Sequence, residues 1–192
     1  PGCAIRYEHP VSGIEFSEEI YAGIIAYELH LRYYRQAIKY TGHPAAYHTV
    51  GSSMAVRALA YQKQGGMNKR KAGEDFYFLQ KIIALGGFTE LNSTRIIPSP
   101  RPSERVPFGT GRAIEEWIEN QQSIYMSYNF KSFILLKEFF GLIESFYDSK
   151  SNYQSLSEEM KGFIEDKEFE NKLNELRRQS TNVNRFIQRF FF

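Results

Sequence analysis

Gly65-Gly66-Met67-Asn68-Lys69-Arg70-Lys71-Ala72-Gly73-Glu74-Asp75-Phe76-Tyr77-Phe78-Leu79 is the stretch on which the reading of this chain turns. A glycine-punctuated basic loop runs into two adjacent carboxylates, and these open an apolar helix that closes at Gly86-Gly87. An acid in a first helical turn accepts from backbone N–H groups that lack a carbonyl partner, and it faces the positive end of the helix dipole. The helix is expected to bury several of Phe76, Leu79, Ile82, Ile83 and Leu85, which would fix Asp75 against a core rather than on a loop. A carboxylate held in that way is a usable general base. The plainer reading makes Glu74 and Asp75 capping residues and nothing more.

Upstream of this stretch, Tyr47 to Val56 reads as a strand running into Gly51-Ser52-Ser53. Small residues there would let a ligand or another segment approach the backbone closely. Met54 to Gln64 reads as a short helix ending at Gly65-Gly66. His48 invites a role as metal ligand or base, but no second His or Cys stands at ligand spacing, and a lone residue does not build a zinc site. Further back, Ala4 to Glu8 suits a strand that stops at His9-Pro10. Ser17, followed by Glu18 and Glu19, opens a long helix that the Gly42-His43-Pro44 signal ends.

Downstream, Phe88 to Leu91 and Thr94 to Pro98 suit two short strands. The segment from Pro98 to Arg112 then combines four prolines with Arg101, Arg105, Arg112 and a Gly109-Thr110-Gly111 turn. Arginine pairs with phosphate through two parallel hydrogen bonds, so the segment suits a phosphate or acceptor clamp; the alternative is an ordered connector. From Ala113 the pattern is helical, through Ala113 to Met126, Phe130 to Tyr147, and a last helix or pair opened by Ser155 with Glu158 three residues on. The Arg185-Phe186-Ile187-Gln188-Arg189-Phe190-Phe191-Phe192 end suits either packing on the rest of the chain or a membrane or partner surface.

The 192 residues are 42% hydrophobic and 24% charged, the balance of an ordinary globular protein. A net charge of +2 argues against a dedicated nucleic-acid binder. Between Arg57 and Arg112, however, ten basic residues face four acidic ones, so the positive charge gathers around Asp75 and suits an anionic partner. The single Cys3 forms no intramolecular disulfide, which fits a reducing cytoplasm. No run approaches the roughly 20 apolar residues of a membrane span.

Taken in order, Tyr47-His48-Thr49-Val50-Gly51-Ser52-Ser53-Met54-Ala55-Val56-Arg57, Gly65-Gly66, Gly73-Glu74-Asp75 and Leu85-Gly86-Gly87 resemble the second half of a family 2 glycosyltransferase of the GT-A fold. The resemblance spans Ile5 to Arg112. It implies an α/β fold class, helix-rich here: residues 1–112 as the acceptor-side half of a GT-A-like domain and 113–192 as an all-helical C-terminal extension. It assigns Asp75 as catalytic base, taking the proton of an acceptor hydroxyl as the nucleotide is displaced with inversion, and Glu74 as its neighbour in the acceptor site. Gly51, Ser52, Ser53, Arg57 and Gly73 fall at substrate-binding positions, and Arg101, Arg105 and Arg112 on a loop that closes over the donor diphosphate.

The implied partners are a nucleotide-sugar and a glycan or lipid-linked acceptor, the latter at the inner face of the membrane, with peripheral membrane contact as a further expectation. The family's nucleotide-binding units and its Asp-x-Asp element, which holds Mn or Mg, have no counterpart in these residues. The divalent metal is therefore expected to find its ligands outside this chain, which reads as an acceptor-side fragment. Two other classes stand beside this reading. One is a non-catalytic helical binding or scaffold module that recognises an anionic partner. The other is a metal hydrolase on His48, Glu74 and Asp75, which has the residue types without a ligand set.

Overall fold

A computed structural model describes residues 1–69, 73–104, 107–148, 155–164 and 166–192. The chain is mixed helix and sheet, in two compact units: Pro1–Arg35 with Tyr47–Ser127, and Gln36–Ala46 with Tyr128–Phe192.

The first unit is organised on β1 (Gly2–Tyr7), the middle strand of a three-stranded sheet. β2 (Met54–Val56) pairs with it antiparallel, Gly2 opposite Val56, and β3 (Thr89–Ile96) pairs parallel, Cys3 opposite Thr89. The expected strand over Tyr47 to Val56 is thus only its last three residues. The expected helix from Met54 is α2, Ala58–Lys63. The two short strands foreseen after α3 are one strand with a break in register. Ile5 stands opposite Leu91 but Arg6 opposite Arg95, so the polar Asn92-Ser93-Thr94 is left out of the pairing.

Helix α1 (Glu18–Tyr40) starts and stops where its signals lie. Ser17 Oγ accepts from the Ile20 amide at 3.4 Å, and Gly42 adopts φ +82° two residues before Pro44. Helix α3 (Glu74–Ile83) buries Phe78, Leu79, Ile82 and Ile83 against the sheet side of the unit, with Phe88 beside them. Leu79, Ile82 and Ile83 are inside as expected, together with Phe78, while Phe76 and Leu85 are exposed. Helix α4 (Thr110–Glu119) buries Ile114 and Trp117, and the indole lies over Gly23 of α1.

The second unit is built on rings. Among its described residues the regular structure is helical: α5 (Phe130–Gly141), a 3-10 turn at Glu144–Phe146, α6 (Glu158–Lys161), α7 (Asp166–Gln179) and α8 (Val183–Phe191). Ile143, Phe146, Leu173 and Phe186 form its buried centre, with Phe139, Phe140, Phe169, Phe190 and Phe191 packed on it. The Arg177 guanidinium crosses to the carbonyl of Phe146 at 2.7 Å and to Glu170 at 3.0 Å, tying α7 to the turn. The cap of α6 is Ser157, accepting from Met160 at 3.3 Å, two residues beyond the Ser155 expected to play that part. Helix α8 turns Phe186, Phe190 and Phe191 inward, so most of the aromatic face considered for a membrane or partner is used within the unit. Among the described residues no helix is long and apolar enough to cross a membrane.

Candidate active site

Two tethers position the segment that leads to Gly51. Tyr47 donates its hydroxyl to the carbonyl of Phe88 at 3.0 Å and meets that ring edge-on. His48 sits edge-on to Tyr7 of β1, with Nδ1 3.4 Å from the Tyr7 hydroxyl. Burial, with the positive charges of Arg35 and Arg32, holds the His48 imidazole down at about 4, against the pull of Glu90 and Glu28. His48 is therefore neutral near pH 7 and serves as a packed strut; its side chain is engaged with the sheet rather than offered as a metal ligand. Burial pushes the Tyr7 hydroxyl up.

Downstream of these tethers, the turn that begins at Gly51 meets the start of α3. A Cβ on Gly51 would overlap Asp75 Oδ2 and lie 3.0 Å from its Cγ and 3.1 Å from its Cβ, closer than side chains pack. Only glycine leaves the carboxylate in its place. Oδ1 of Asp75 accepts from the Phe76 amide at 2.7 Å, one of the first-turn donors without a helical partner. Gly73 enters the helix at φ +73°, a left-handed conformation that favours residues without a Cβ. The structure thus brings together Gly51, Gly73 and Asp75 from the residues expected at the site, with Glu74 half-buried beside them.

The loop before α4 reaches the same place. The Ser103 amide donates to the Gly111 carbonyl at 3.1 Å, folding the segment back on itself. The Phe108 ring then comes to rest on Gly73: a Cβ there would lie 3.2 Å from Phe108 Cζ and 3.7 Å from Tyr77 Cε2. Neither ring was singled out by motif. The signal that could have found Phe108 is its setting, a large ring between Pro107 and Gly109 in a loop otherwise polar.

Other expected positions lie differently. Ser52 is exposed, but Ser53 is 1% exposed, with its hydroxyl in the interior and unpartnered among the described residues. Ser53 ties the turn to β1 through its backbone, its carbonyl accepting from Ile5 at 2.8 Å. Arg112 is held by its own helix, 2.9 Å from both Glu115 and Glu116 and 3.8 Å from Glu119. Arg57 and Arg101 are exposed, and among the described residues their side chains make no hydrogen bond or ion pair. Arg105, the remaining arginine of the expected clamp, lies outside the described residues. No three His, Cys, Asp or Glu side chains gather as a metal site among the described residues.

A part-buried polar network, unforeseen from the sequence, braces the far end of β1. Glu28 Oε2 accepts from the His9 amide at 2.8 Å and pairs with His9 Nδ1 at 2.7 Å, while Oε1 takes the Arg32 guanidinium. Arg32 also donates to the Tyr7 carbonyl at 3.0 Å. Burial raises the Glu28 carboxyl, but the bonds from His9 and Arg32 outweigh it and hold the group at about 2.

Comparison of the chain with protein-family models, with curated proteins and with solved structures finds no match.

Proposed function

We propose that this chain carries the acceptor-side part of an inverting glycosyltransferase of the GT-A type, with Asp75 as its general base. The observation that carries the reading is the contact of Gly51 with the Asp75 carboxylate. A small-residue segment and an acid more than twenty residues apart in sequence meet so closely that a side chain on one would displace the other. Capping alone asks for no such neighbour, whereas a base must be held to within a few tenths of an ångström of its productive position.

In this reading Asp75 takes the proton from an acceptor hydroxyl as that oxygen bonds to the anomeric carbon of the donor sugar. The bond from that carbon to the diphosphate oxygen breaks at the same time, and the nucleoside diphosphate leaves from the opposite face, giving inversion. The leaving group gathers negative charge. Arg57 and Arg101, exposed and without an ion pair among the described residues, are the expected cations left to meet it, because Arg112 would first have to leave its carboxylates. The divalent ion that the family uses neutralises the same diphosphate when bound. The described residues offer no ligand set for it, and the steps assigned to this chain do not involve it.

The test is Asp75→Asn in the enzyme together with its donor-binding half. The amide keeps the shape and the bond from Phe76 but takes up no proton, so transfer should fall by about 10²–10⁴-fold with an unchanged melting temperature. Transfer at the parent rate would overturn the assignment.

A further inference from the structure

In Asn92-Ser93-Thr94 an asparagine is followed two residues on by a hydroxyl, with no proline between, and of the asparagines in the chain only Asn92 has Ser or Thr at that spacing. The spacing is the acceptor pattern of N-linked glycosylation. So short a motif arises by chance in many chains, and its surroundings decide whether it can be used. β3 pairs Leu91 with Ile5 and then Arg95 with Arg6, so these three residues are the ones the parallel register skips. All three are exposed, and the Asn92 amide group and the Ser93 and Thr94 hydroxyls make no hydrogen bond among the described residues. β3 is also an edge strand, with β1 on one side and no strand on the other among the described residues. The bulge is pinned at both ends, since Glu90 pairs with Arg35 and Arg95 with Glu8, each at 2.6 Å.

We infer that Asn92 is the acceptor of an N-linked glycan. This inference stands apart from the glycosyltransferase reading, because here the chain is the substrate of another enzyme. The lone pair of an amide nitrogen is shared with its carbonyl, so a transferase has to enclose the Asn side chain and hold the hydroxyl two residues on. A tripeptide inside a regular ladder would first have to give up its hydrogen bonds. Here the register leaves it out, and the flanking ion pairs keep the strand in place while the bulge is drawn into the enzyme. In the transfer, Asn92 Nδ2 bonds to the anomeric carbon of the donor sugar as the bond from that carbon to a phosphate oxygen breaks. The phosphate carrier leaves with the electron pair, and the amide proton passes to a base of the transferase. A lipid-linked oligosaccharide and a nucleotide sugar share this chemistry. Once attached, the glycan covers the longer of the two sheet edges, where an unpaired strand otherwise invites another chain.

The test offers the folded full chain to two donors, and reads intact mass and the modified peptide. One arm is a purified oligosaccharyltransferase with a lipid-linked oligosaccharide; the other is a soluble N-glycosyltransferase of the same acceptor pattern with UDP-glucose. The expected result is a single glycan on Asn92 in at least one arm, absent in Asn92→Gln. Thr94→Ala should slow the reaction by more than about 100-fold, because a site built to bond a hydroxyl rejects a residue that lacks it, and Thr94→Ser should restore it in part. Modification from the lipid-linked donor alone marks a chain delivered across a membrane, and from UDP-glucose alone a chain modified in the cytoplasm. Modification in both arms supports the site equally, and the first sugar found on the chain taken from its own cells then tells the two sources apart. No glycan on the folded chain in either arm, or a mass increase that survives Asn92→Gln, overturns the inference and leaves the role of Asp75 untouched.

Discussion

The two units of the molecule spend their residues in opposite ways. Around Asp75 the geometry depends on what is missing: Gly51 and Gly73 give way to a carboxylate and to the Phe108 ring, and the rings that do appear stay in water. In the second unit the centre is filled, with Phe146, Leu173 and Phe186 fully buried and further phenylalanines around them. A site that holds a ligand keeps room and exposes surface, while a core removes both. Substitution should therefore damage the two regions through different observables.

The largest effect is expected in the filled region. Phe186→Ala removes a fully buried ring lying against Tyr147 and Phe190 and should cost about 3–5 kcal/mol in chemical denaturation. A loss below about 1 kcal/mol would mean that the aromatic centre is looser than its burial implies, and the contrast between the units would fail.

Next comes a change that should cost activity and little stability. Gly51→Ala sets a methyl group where Asp75 Oδ2 lies, and the short side chain can rotate away, so the fold should lose no more than about 1 kcal/mol. On the proposed reading, transfer should drop by on the order of 10²-fold, because a base displaced by an ångström is misaligned. A stability loss with undiminished transfer would invert the comparison and make Gly51 a folding residue.

The smallest effect is in pH dependence. His48 is depressed to about 4 by burial and by Arg35 and Arg32, so between pH 6.5 and 4 the unfolded chain binds a proton that the folded one refuses. Stability should fall as pH drops through that window and stay level above it, by about 1–2 kcal/mol once partial exposure is allowed for. Glu28, held at about 2 by His9 and Arg32 over the opposing effect of burial, adds a separate loss below pH 4.5. His48→Asn should flatten only the upper window in thermal melts across pH; a profile unchanged by this substitution would show that His48 is not the group that titrates there.

How much of this could be read from the sequence follows the range of the interactions. Local chemistry was legible: Ser17 and Gly42-Pro44 bound α1, the acids after Gly73 head α3, and the Gly51 segment was marked for close approach to a backbone. Leu79, Ile82 and Ile83 follow the helical repeat expected of α3, but Phe76 and Leu85 fall outside the buried face, because an apolar run offers more than one stripe and only the packed sheet selects the one that includes Phe78. Ser53 resembles Ser52 in sequence, but the two lie in a turn, and the bond from the Ile5 amide to the Ser53 carbonyl, next to the pairing of Ala4 with Met54, fixes Ser53 against the sheet. His9 and Glu28, or Phe108 and Gly73, carry no sequence signal as pairs, since their contact is created by the strand and loop that deliver them. Arg112 was counted toward a phosphate clamp because its three carboxylates follow it on one helix face, a competition that becomes visible once the helix is known to begin at Thr110.

The sheet order has a consequence for the birth of the protein. β1 is the central strand, yet both neighbours come later in the chain, Met54–Val56 on one edge and Thr89–Ile96 on the other. A ribosome adding about 5–20 residues per second leaves β1 without its parallel neighbour for on the order of ten seconds. Throughout that interval the amides and carbonyls on its β3 edge can be satisfied only by water, by a chaperone or by the same strand of another nascent chain. Closely spaced ribosomes on one message would bring such strands together, and slower initiation or added chaperone should raise the soluble yield.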